Sequence, residues 1–279
     1  MPFAQMDVFA EVPFGGNPVA VVFEADALTG SEMQRIAGWT NLFETPSALV
    51  PRDAPAANRL RIFTPRAELP FAGPPTIGSA PAVVEAGIAR PRSRRLVQEC
   101  GAGLRELFFD GGAIALKAPA PRPAAFSPAR VPDLEKKPWR KSAKRARTVG
   151  LGPVWIVAGL ADTDGVDALR PDFAATAALS DAVPATGVTV FGEAREGEAA
   201  VHVRSFAPAH GVPEDPVCGS GNISAAAYLR ASGEAKRFGA SCRAGQGMAL
   251  GRVEIQFEAG DIFLAGRALT CVRGTLRVQ

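Results

Sequence analysis

The chain has 279 residues, 47% of them hydrophobic, and its 31 lysines and arginines nearly balance its 28 aspartates and glutamates. That apolar content can form a buried core, and a length above the roughly 100–200 residues of one domain predicts two domains. The small net charge of +3 and the single tyrosine argue against a nucleic-acid-binding protein, which needs a basic surface and aromatic stacking.

The residue pattern of the first half of the chain predicts several strands and two helices. Strand patterns cover residues 5–10 and 19–23, joined by a turn at 14–18, and further strands are expected at 47–50 and 59–63. Helical spacing at 28–38, with Thr29 or Ser31 as N-cap, predicts the first helix. A second helix, made of small residues, follows Leu69 and ends near Gly87, and strands are expected at 95–109 and 113–117.

A proline-rich connection at 118–133 predicts a domain boundary, giving domains 1–120 and 121–279, with the last strand able to pack on the first domain. A basic cluster follows, which we interpret as a solvated surface that could bias anionic substrates toward the protein. Its members are Lys136, Lys137, Arg140, Lys141, Lys144, Arg145 and Arg147.

The composition of the chain also bears on its compartment and its cofactors. The N-terminus lacks the pattern of a signal peptide, and the longest uncharged segments, 69–84 and 148–161, are shorter than the about 20 residues of a membrane span. We therefore expect a soluble cytoplasmic protein. Four widely spaced cysteines and only two histidines predict reduced thiols and no metal site.

The stretch Glu214 to Asn222 carries the strongest chemical signal. Two carboxylates and a thiol precede a Gly-Ser-Gly turn, and a helical segment at 223–232 follows. A helix N-terminus attracts anions through its unpaired N–H groups and its dipole. Acid–base groups beside such a terminus are suited to proton transfer on a carboxylate substrate.

An internal repeat organises the chain. The motif Arg61-x-Phe63-x-Pro65 recurs as Arg204-x-Phe206-x-Pro208. Further along, Gly73, Ala80 and Gly87 match Gly219, Ala226 and Gly233. We predict two copies of one α/β unit, each a sheet wrapped around a small-residue helix, with both helix N-termini directed at one cleft.

These motifs resemble the PhzF-like family of phenazine-biosynthesis isomerases, which has a diaminopimelate epimerase-like fold. The matching stretches are Asp7-Val8-Phe9, Gly16-Asn17-Pro18, Asn41-Leu42-x-Glu44-Thr45, Arg61-x-Phe63-Thr64-Pro65, the Gly73 turn, Arg204-x-Phe206-x-Pro208, Glu214-Asp215-Pro216-Val217-x-Gly219-Ser220 and Gln246-Gly247. The resemblance covers nearly the whole chain.

The resemblance implies an α/β (α+β) fold of two pseudo-symmetric domains, each a curved, mostly antiparallel sheet around a central helix. It also implies a homodimeric isomerase that needs no cofactor and moves a proton within a small carboxylate-bearing substrate, as in the family's isomerisation of dihydro-3-hydroxyanthranilate. By position, Glu44 is the principal acid/base, Asp215 its acidic partner, and Ser220 a third catalytic group. The expected substrate-binding residues are Gly73, Thr76, Cys218, Gly219, Gly221 and Asn222.

One position departs from the family pattern. Pro74 stands where the family usually has a histidine after Gly73, and neither His202 nor His210 occupies that place. Proline also lacks an N–H group, so the first helix start is the poorer anion site. We therefore expect a different substrate or reaction, with the carboxylate held at the second helix start.

Other readings of the same residues stay open. Glu44 could be a surface or cap residue, and Ser220 could simply cap its helix. Cys218 precedes Gly219 as a catalytic thiol does in two-cysteine epimerases, but the matching first-half positions, 72–74, hold no second thiol, so a buried small side chain is favoured. The alternatives to an isomerase are therefore a catalytically silent small-molecule-binding protein and an epimerase that uses Cys218.

Overall fold

The structure is a computed structural model that describes residues 1–119, 146–194, 199–246 and 251–278. It divides into two compact units, one formed by Met1–Lys117 with Ala265–Gln279 and the other by Ala118–Leu264. Most of the predicted proline-rich connection, and the basic cluster apart from Arg147, lie outside the described residues.

The first unit is a sheet with one helix inside it and another outside it. Its strands are β1 (Pro2–Val8), β2 (Asn17–Val22), β3 (Thr45–Leu49), β4 (Asn58–Phe63), β5 (Glu68–Leu69), β6 (Arg95–Cys100), β7 (Gly103–Asp110) and β8 (Ala113–Lys117). Its helices are α1 (Gly30–Thr40) and α2 (Gly73–Glu85). The long strand Asp261–Thr275, which is β16, pairs with β1 along Ala268–Thr275 and also neighbours β8, so the strands close into a barrel.

Helix α2 is the predicted small-residue helix, and the sheet surrounds it. Its residues 73–80 are all buried. At Gly78 even a β-carbon would lie 2.6 Å from the Cγ2 atom of Val8, because β1 passes so close to the helix. The small side chains of α2 are therefore what allows the strands to wrap it.

Helix α1 packs on the outside of the same sheet. Thr29 is its N-cap, as predicted, and forms a capping box with Glu32, whose carboxylate accepts the Thr29 N–H at 2.8 Å. Met33 and Ala37 face a satellite apolar cluster that includes Leu49 and Phe63. This cluster ties α1 to β3 and so fixes where the chain leaves the helix.

The second unit repeats the arrangement. Its strands are β9 (Arg147–Gly150), β10 (Val154–Gly159), β11 (Gly187–Glu193), β12 (Val201–Ala207), β13 (Val212–Asp215), β14 (Ser241–Gln246) and β15 (Arg252–Glu258). Its helices are α3 (Thr163–Ala168), α4 (Phe173–Ala182) and α5 (Gly219–Ala231). The strand order is β15-β14-β12-β11-β10-β9, with β13 paired to β12, and α5 is buried along most of its length.

The sequence repeat has the same structural counterpart in both units. The guanidinium group of Arg61 donates two bonds to Glu68, at 2.8 and 2.7 Å, and lies 5.2 Å from the ring centre of Phe63. Arg204 makes the same pair of bonds to Glu214, both 2.7 Å, and lies 5.0 Å from the ring centre of Phe206. The repeated motif therefore fastens a strand to the segment that leads into the central helix.

Two expectations about element boundaries are corrected. Residues 95–109 form two strands, because the chain turns back between Cys100 and Gly103, whose positive φ of 94° favours glycine. The helix expected at 223–232 starts earlier, at Gly219, so the Gly-Ser-Gly segment is its first turn. Within the described ranges, no helix is long and apolar enough to cross a membrane.

Candidate active site

Glu44 lies where the chain passes from α1 into β3. Helix α1 ends at Asn41, whose left-handed φ of 53° suits asparagine, and its N–H donates to the Ala37 carbonyl at 3.1 Å. The hydroxyl groups of Thr40 and Thr45 lie 2.8 Å apart and close the loop. Glu44 forms a β-bridge with Val19 and is only 2% exposed. The structure thus places this carboxyl group in the interior of the first unit, so the reading of Glu44 as a surface residue is wrong.

The N-terminus of α2 has few free donors. Its N-cap, Ala72, has no capping side chain, and Pro74 and Pro75 have no N–H groups. Both the N–H and the hydroxyl of Thr76 donate to the Ala72 carbonyl, at 3.3 and 2.7 Å. Of the first four helical residues, only Gly73 keeps an N–H group without an intrahelical acceptor.

The N-terminus of α5 is built differently. Cys218, and not Ser220, is its N-cap: the Cys218 Sγ atom accepts the Gly221 N–H at 3.3 Å, and its carbonyl accepts the Asn222 N–H at 3.0 Å. The N–H groups of Gly219 and Ser220 have no acceptor within the helix. This end of α5 therefore has two amide donors in its first turn, which together with the helix dipole suit an anion.

Ser220 is the partly exposed side chain at this helix start. Its Oγ atom accepts a hydrogen bond from the indole N–H of the buried Trp155 at 3.0 Å. The Cys218 Sγ atom lies 3.6 Å from the same oxygen. Ser220 is therefore held by two neighbours, although its hydroxyl is not the helix cap.

Asp215 ends β13 and is 1% exposed. Burial raises the pKa of its carboxyl group to about 7, and the nearby Glu214 adds to the rise. Hydrogen bonds from the Cys218 thiol and the Val217 N–H, the latter 3.1 Å long, oppose the rise in pKa. Asp215 can therefore be protonated or ionised near neutral pH, which is the property of a general acid or base.

Cys218 is a neutral thiol in this environment. It is 2% exposed, and burial together with the adjacent Asp215 raises the pKa of its thiol well above the ordinary value. In the first unit, burial also raises the pKa of the Cys100 thiol, which donates to the Gly103 carbonyl at 3.2 Å. Because thiolates are the reactive form, these observations disfavour the epimerase reading of Cys218.

Gln246 is a residue of the site to which the sequence motifs assign no role. Its side-chain N–H donates to the Asp215 carbonyl at 2.5 Å, while its Oε1 atom accepts the Cys218 N–H at 3.0 Å and the Asn222 side-chain N–H at 3.1 Å. Gln246 thus ties the Asp215–Cys218 turn to the first turn of α5. The Gln246-Gly247 pair was part of the family resemblance, and that was its only signal in the sequence.

Gly221 is required by packing. A β-carbon at this position would lie 2.2 Å from the Oγ atom of Ser205 and 2.9 Å from the Oγ1 atom of Thr189. These two hydroxyl groups are buried and lie 2.9 Å apart. The role of Gly221 that the structure makes visible is to let α5 approach β11 and β12.

The predicted site residues thus fall into two groups. Asp215, Cys218, Ser220 and Asn222 form one hydrogen-bonded cluster in the second unit, with Gly219 and Gly221 in the same helical turn. In the first unit, Glu44 lies at the start of β3 while Gly73 and Thr76 start α2. Within the part of the chain that the structure describes, no group of three His, Cys, Asp or Glu side chains could hold a metal ion.

Comparison with known proteins identifies the class. The Bacillus anthracis phenazine biosynthesis protein of the PhzF family has a solved structure with a TM-score of 0.84 at 22% identity, covering 100% of this chain and 99% of that chain. The fold is therefore the sheet-rich α+β fold of PhzF proteins and diaminopimelate epimerases. Among curated relatives, antisense-enhancing sequence 1 of Schizosaccharomyces pombe is 40% identical, over 98% of this chain and 97% of its own. A trans-2,3-dihydro-3-hydroxyanthranilate isomerase of Pseudomonas fluorescens is 34% identical, over 97% of each chain.

The family model described as phenazine biosynthesis-like protein matches residues 6–274. The chain belongs to that family, and it is an enzyme of the isomerase class. The predicted resemblance and fold class are confirmed.

Proposed function

We propose that this enzyme moves a proton between two carbon atoms of a small carboxylate-bearing metabolite without a cofactor. The observation that carries the proposal is Asp215, a buried carboxyl group with a pKa of about 7 that lies beside the N-terminus of α5. Moving a proton between carbons requires a group that exchanges protons near neutral pH. It also requires a place for the negative charge of the substrate, and a helix N-terminus provides one.

Glu44 is the proposed principal acid/base, with Asp215 as a second acidic group and Ser220 as the hydroxyl that contacts the substrate. Support for Glu44 comes from its match to the family motif and from its 2% exposure, because a base shielded from water keeps the proton it removes. Glu44 belongs to the first unit, and Asp215 and Ser220 belong to the second.

The substrate carboxylate is proposed to bind at the start of α5. The N–H groups of Gly219 and Ser220 are its donors, and Cys218, Gly221 and Asn222 shape that turn. Gly73 and Thr76 are proposed as the weaker contacts of the first unit, since the prolines after Gly73 remove two donors.

The substrate is proposed to differ from that of the Pseudomonas relatives, which are named for trans-2,3-dihydro-3-hydroxyanthranilate. By the family resemblance, Pro74 takes the place of a histidine, and proline can neither donate nor accept the proton that histidine would. Pro74→His tests this directly. A large gain in isomerisation of that compound is expected, and no gain would mean that other residues set the specificity.

The central test compares Glu44→Gln with Glu24→Gln, an exposed carboxylate in the same unit. Substrate isomerisation and uptake of deuterium from heavy water are followed by NMR, with trans-2,3-dihydro-3-hydroxyanthranilate as the first probe. We expect Glu44→Gln to lose turnover by at least about 10²-fold while folding normally, because an amide cannot accept the proton. Near-normal turnover in Glu44→Gln would refute the assignment of Glu44 as the principal acid/base.

A second candidate is a protein that binds the same kind of ligand but has lost the chemistry. The observation that favours it is the pair of prolines at the start of α2, which leaves one helix terminus poor in donors. This candidate predicts tight binding of a carboxylate ligand in both wild type and Glu44→Gln, with no C–H exchange in either.

We further propose that the enzyme is a cytoplasmic homodimer, as the family resemblance implies. Light scattering coupled to size-exclusion chromatography gives the mass in solution, and a mass near the 29.1 kDa of one chain would refute the dimer.

A further inference from the structure

Asp215 poses a mechanistic problem for the proposed function. Its carboxyl group is only 1% exposed, whereas a group that supplies protons to a substrate must communicate with it. Ser220 is the partly exposed side chain of the same cluster. Some hydrogen-bonded path between Asp215 and Ser220 is therefore needed if both residues act in one proton transfer.

Cys218 lies on such a path. Its thiol is hydrogen-bonded to the Asp215 carboxyl group, and its Sγ atom lies 3.6 Å from the Ser220 Oγ atom. We propose that the thiol of Cys218 relays a proton between the buried carboxyl group of Asp215 and the hydroxyl of Ser220, which is the group that meets the substrate. This proposal rests on the proposed isomerase function and adds to it the route of the proton.

The hydrogen-bonding groups around the relay allow a proton to pass from Asp215 toward Ser220. A hydroxyl group has one proton to donate and two lone pairs to accept. At Ser220, the Trp155 N–H occupies one lone pair of Oγ at 3.0 Å. The Cys218 S–H can then donate to the other, which leaves the hydroxyl proton of Ser220 to be directed outward. At Cys218, the Gly221 N–H donates to Sγ at 3.3 Å. The thiol donates to the Asp215 carboxylate when that group is ionised, and a protonated Asp215 can donate its O–H to the sulfur instead.

The transfer conserves atoms and charge. The Ser220 hydroxyl gives its proton to the substrate carbanion, whose electron pair becomes the new C–H bond. The Cys218 proton moves to the Ser220 oxygen, and the Asp215 proton moves to sulfur. Asp215 is left as a carboxylate and is protonated again from solvent along the same path before the next turnover. Thiol and hydroxyl begin and end neutral, which agrees with the raised pKa of the Cys218 thiol.

The charged surroundings of Asp215 permit this cycle. Glu214 precedes it and raises its pKa, but the carboxylate of Glu214 is held by the guanidinium of Arg204 at 2.7 Å. The Gln246 amide holds the Asp215 backbone carbonyl, and the Val217 N–H holds its Oδ1 atom. The carboxyl group is therefore fixed in place while its proton is exchanged.

The first test needs no substrate. The infrared S–H stretching band of Cys218 is obtained as the difference between wild type and Cys218→Ala, with Cys242→Ala as a control for a buried cysteine of the same unit. We expect the Cys218 band to shift as Asp215 titrates near pH 7 and to stop shifting in Asp215→Asn. If the frequency of the Cys218 band changes neither with pH nor in Asp215→Asn, the relay is refuted.

The second test uses turnover of trans-2,3-dihydro-3-hydroxyanthranilate or of whichever substrate the wild type isomerises. Cys218→Ser keeps a relaying O–H group and should stay within about threefold of wild-type kcat, whereas Cys218→Ala should lose about 10²-fold in kcat with little change in KM. The solvent deuterium isotope effect should rise in Cys218→Ala, which a purely structural loss of the helix cap would not cause.

The two proposals can fail separately. Wild-type kcat in Cys218→Ala, together with an inactive Glu44→Gln, would refute the relay and leave the isomerase. Absence of turnover and of C–H exchange of trans-2,3-dihydro-3-hydroxyanthranilate in both wild type and Pro74→His would refute the isomerase, while the infrared band would still decide whether Cys218 and Asp215 share a proton.

Discussion

Replacing Asp215 by asparagine should change how the stability of the protein depends on pH. Asparagine has nearly the same shape, and its carbonyl oxygen can still accept the Val217 N–H bond, which is 3.1 Å long in the structure. Unlike aspartate, it does not titrate. The comparison of wild type with Asp215→Asn therefore isolates the free energy linked to one buried proton.

The direction in which the free energy of unfolding changes with pH follows from two pKa values. The pKa of Asp215 is about 7 in the folded protein, and the ordinary value of an aspartate, which applies in the unfolded chain, is 3.8. Well below pH 3.8 the group is protonated in both the folded and unfolded states, and its burial does not affect the free energy of unfolding. As the pH rises toward 7, only the unfolded state releases its proton, so the free energy of unfolding of the wild type falls. Above the folded pKa, no further loss occurs.

The size of the change in unfolding free energy follows from the difference between these two pKa values. One pKa unit corresponds to about 1.4 kcal/mol, so an interval of about 3 units amounts to about 4 kcal/mol in total. Between pH 5 and pH 7, the unfolding free energy of Asp215→Asn should rise relative to the wild type by about 2 kcal/mol. That difference is a substantial part of the total stability of a domain, which is about 5–15 kcal/mol.

Urea unfolding measured by circular dichroism at a series of pH values gives the unfolding free energy of wild type and of Asp215→Asn. Subtracting one curve from the other cancels the contributions of the other titrating groups. Asp181→Asn, which removes an exposed carboxylate on α4, is the matched control for the loss of one negative charge. If the curves for wild type and Asp215→Asn run parallel from pH 5 to pH 8, the reasoning about the burial of Asp215 is refuted.

Three further predictions concern residues that hold the site. Arg204→Ala should lower the unfolding free energy by about 2–4 kcal/mol, because it leaves the Glu214 carboxylate, whose side chain is only 10% exposed, without its partner. The more exposed Arg61→Ala should cost about 1 kcal/mol, and equal losses in the two variants would contradict this. Gly221→Ala should cost about 1–3 kcal/mol, measured by thermal unfolding, since its β-carbon meets a hydroxyl at 2.2 Å. Gln246→Ala should cost about 1–3 kcal/mol by leaving buried N–H groups unsatisfied and should lower kcat, and an unchanged melting temperature would show that the amide is dispensable.

Local features of the fold could be predicted from the sequence because their causes lie within a few residues. Thr29 followed by Glu32 forms a capping box, and both residues belong to one turn of helix. The run of small residues after Gly73 predicted a helix enclosed by sheet, and α2 is buried in that way. The sequence pattern does not predict that a strand ends at Cys100, because the turn that follows is visible only in the left-handed backbone of Gly103.

The candidate site was predictable only in part. The pattern of residues from Glu214 to Asn222 indicated an acid beside a helix start, and the family motif indicated Glu44. The exposure of each side chain could not be read from the pattern. Asp215 and Glu44 are 1% and 2% exposed, and this burial depends on how the elements of the folded chain pack.

The sequence by itself thus determined the family, the repeated unit and the residue types of the site, since these depend on motifs and spacing. Only the tertiary structure decided which atoms meet. Trp155 reaches Ser220 across 65 residues of chain, and Gln246 reaches Asp215 across 31. Such contacts depend on strand pairing and helix placement, which bring distant residues together. They help to place the thiol, the hydroxyl and the carboxyl group beside one another, and burial raises the pKa of Asp215 to about 7.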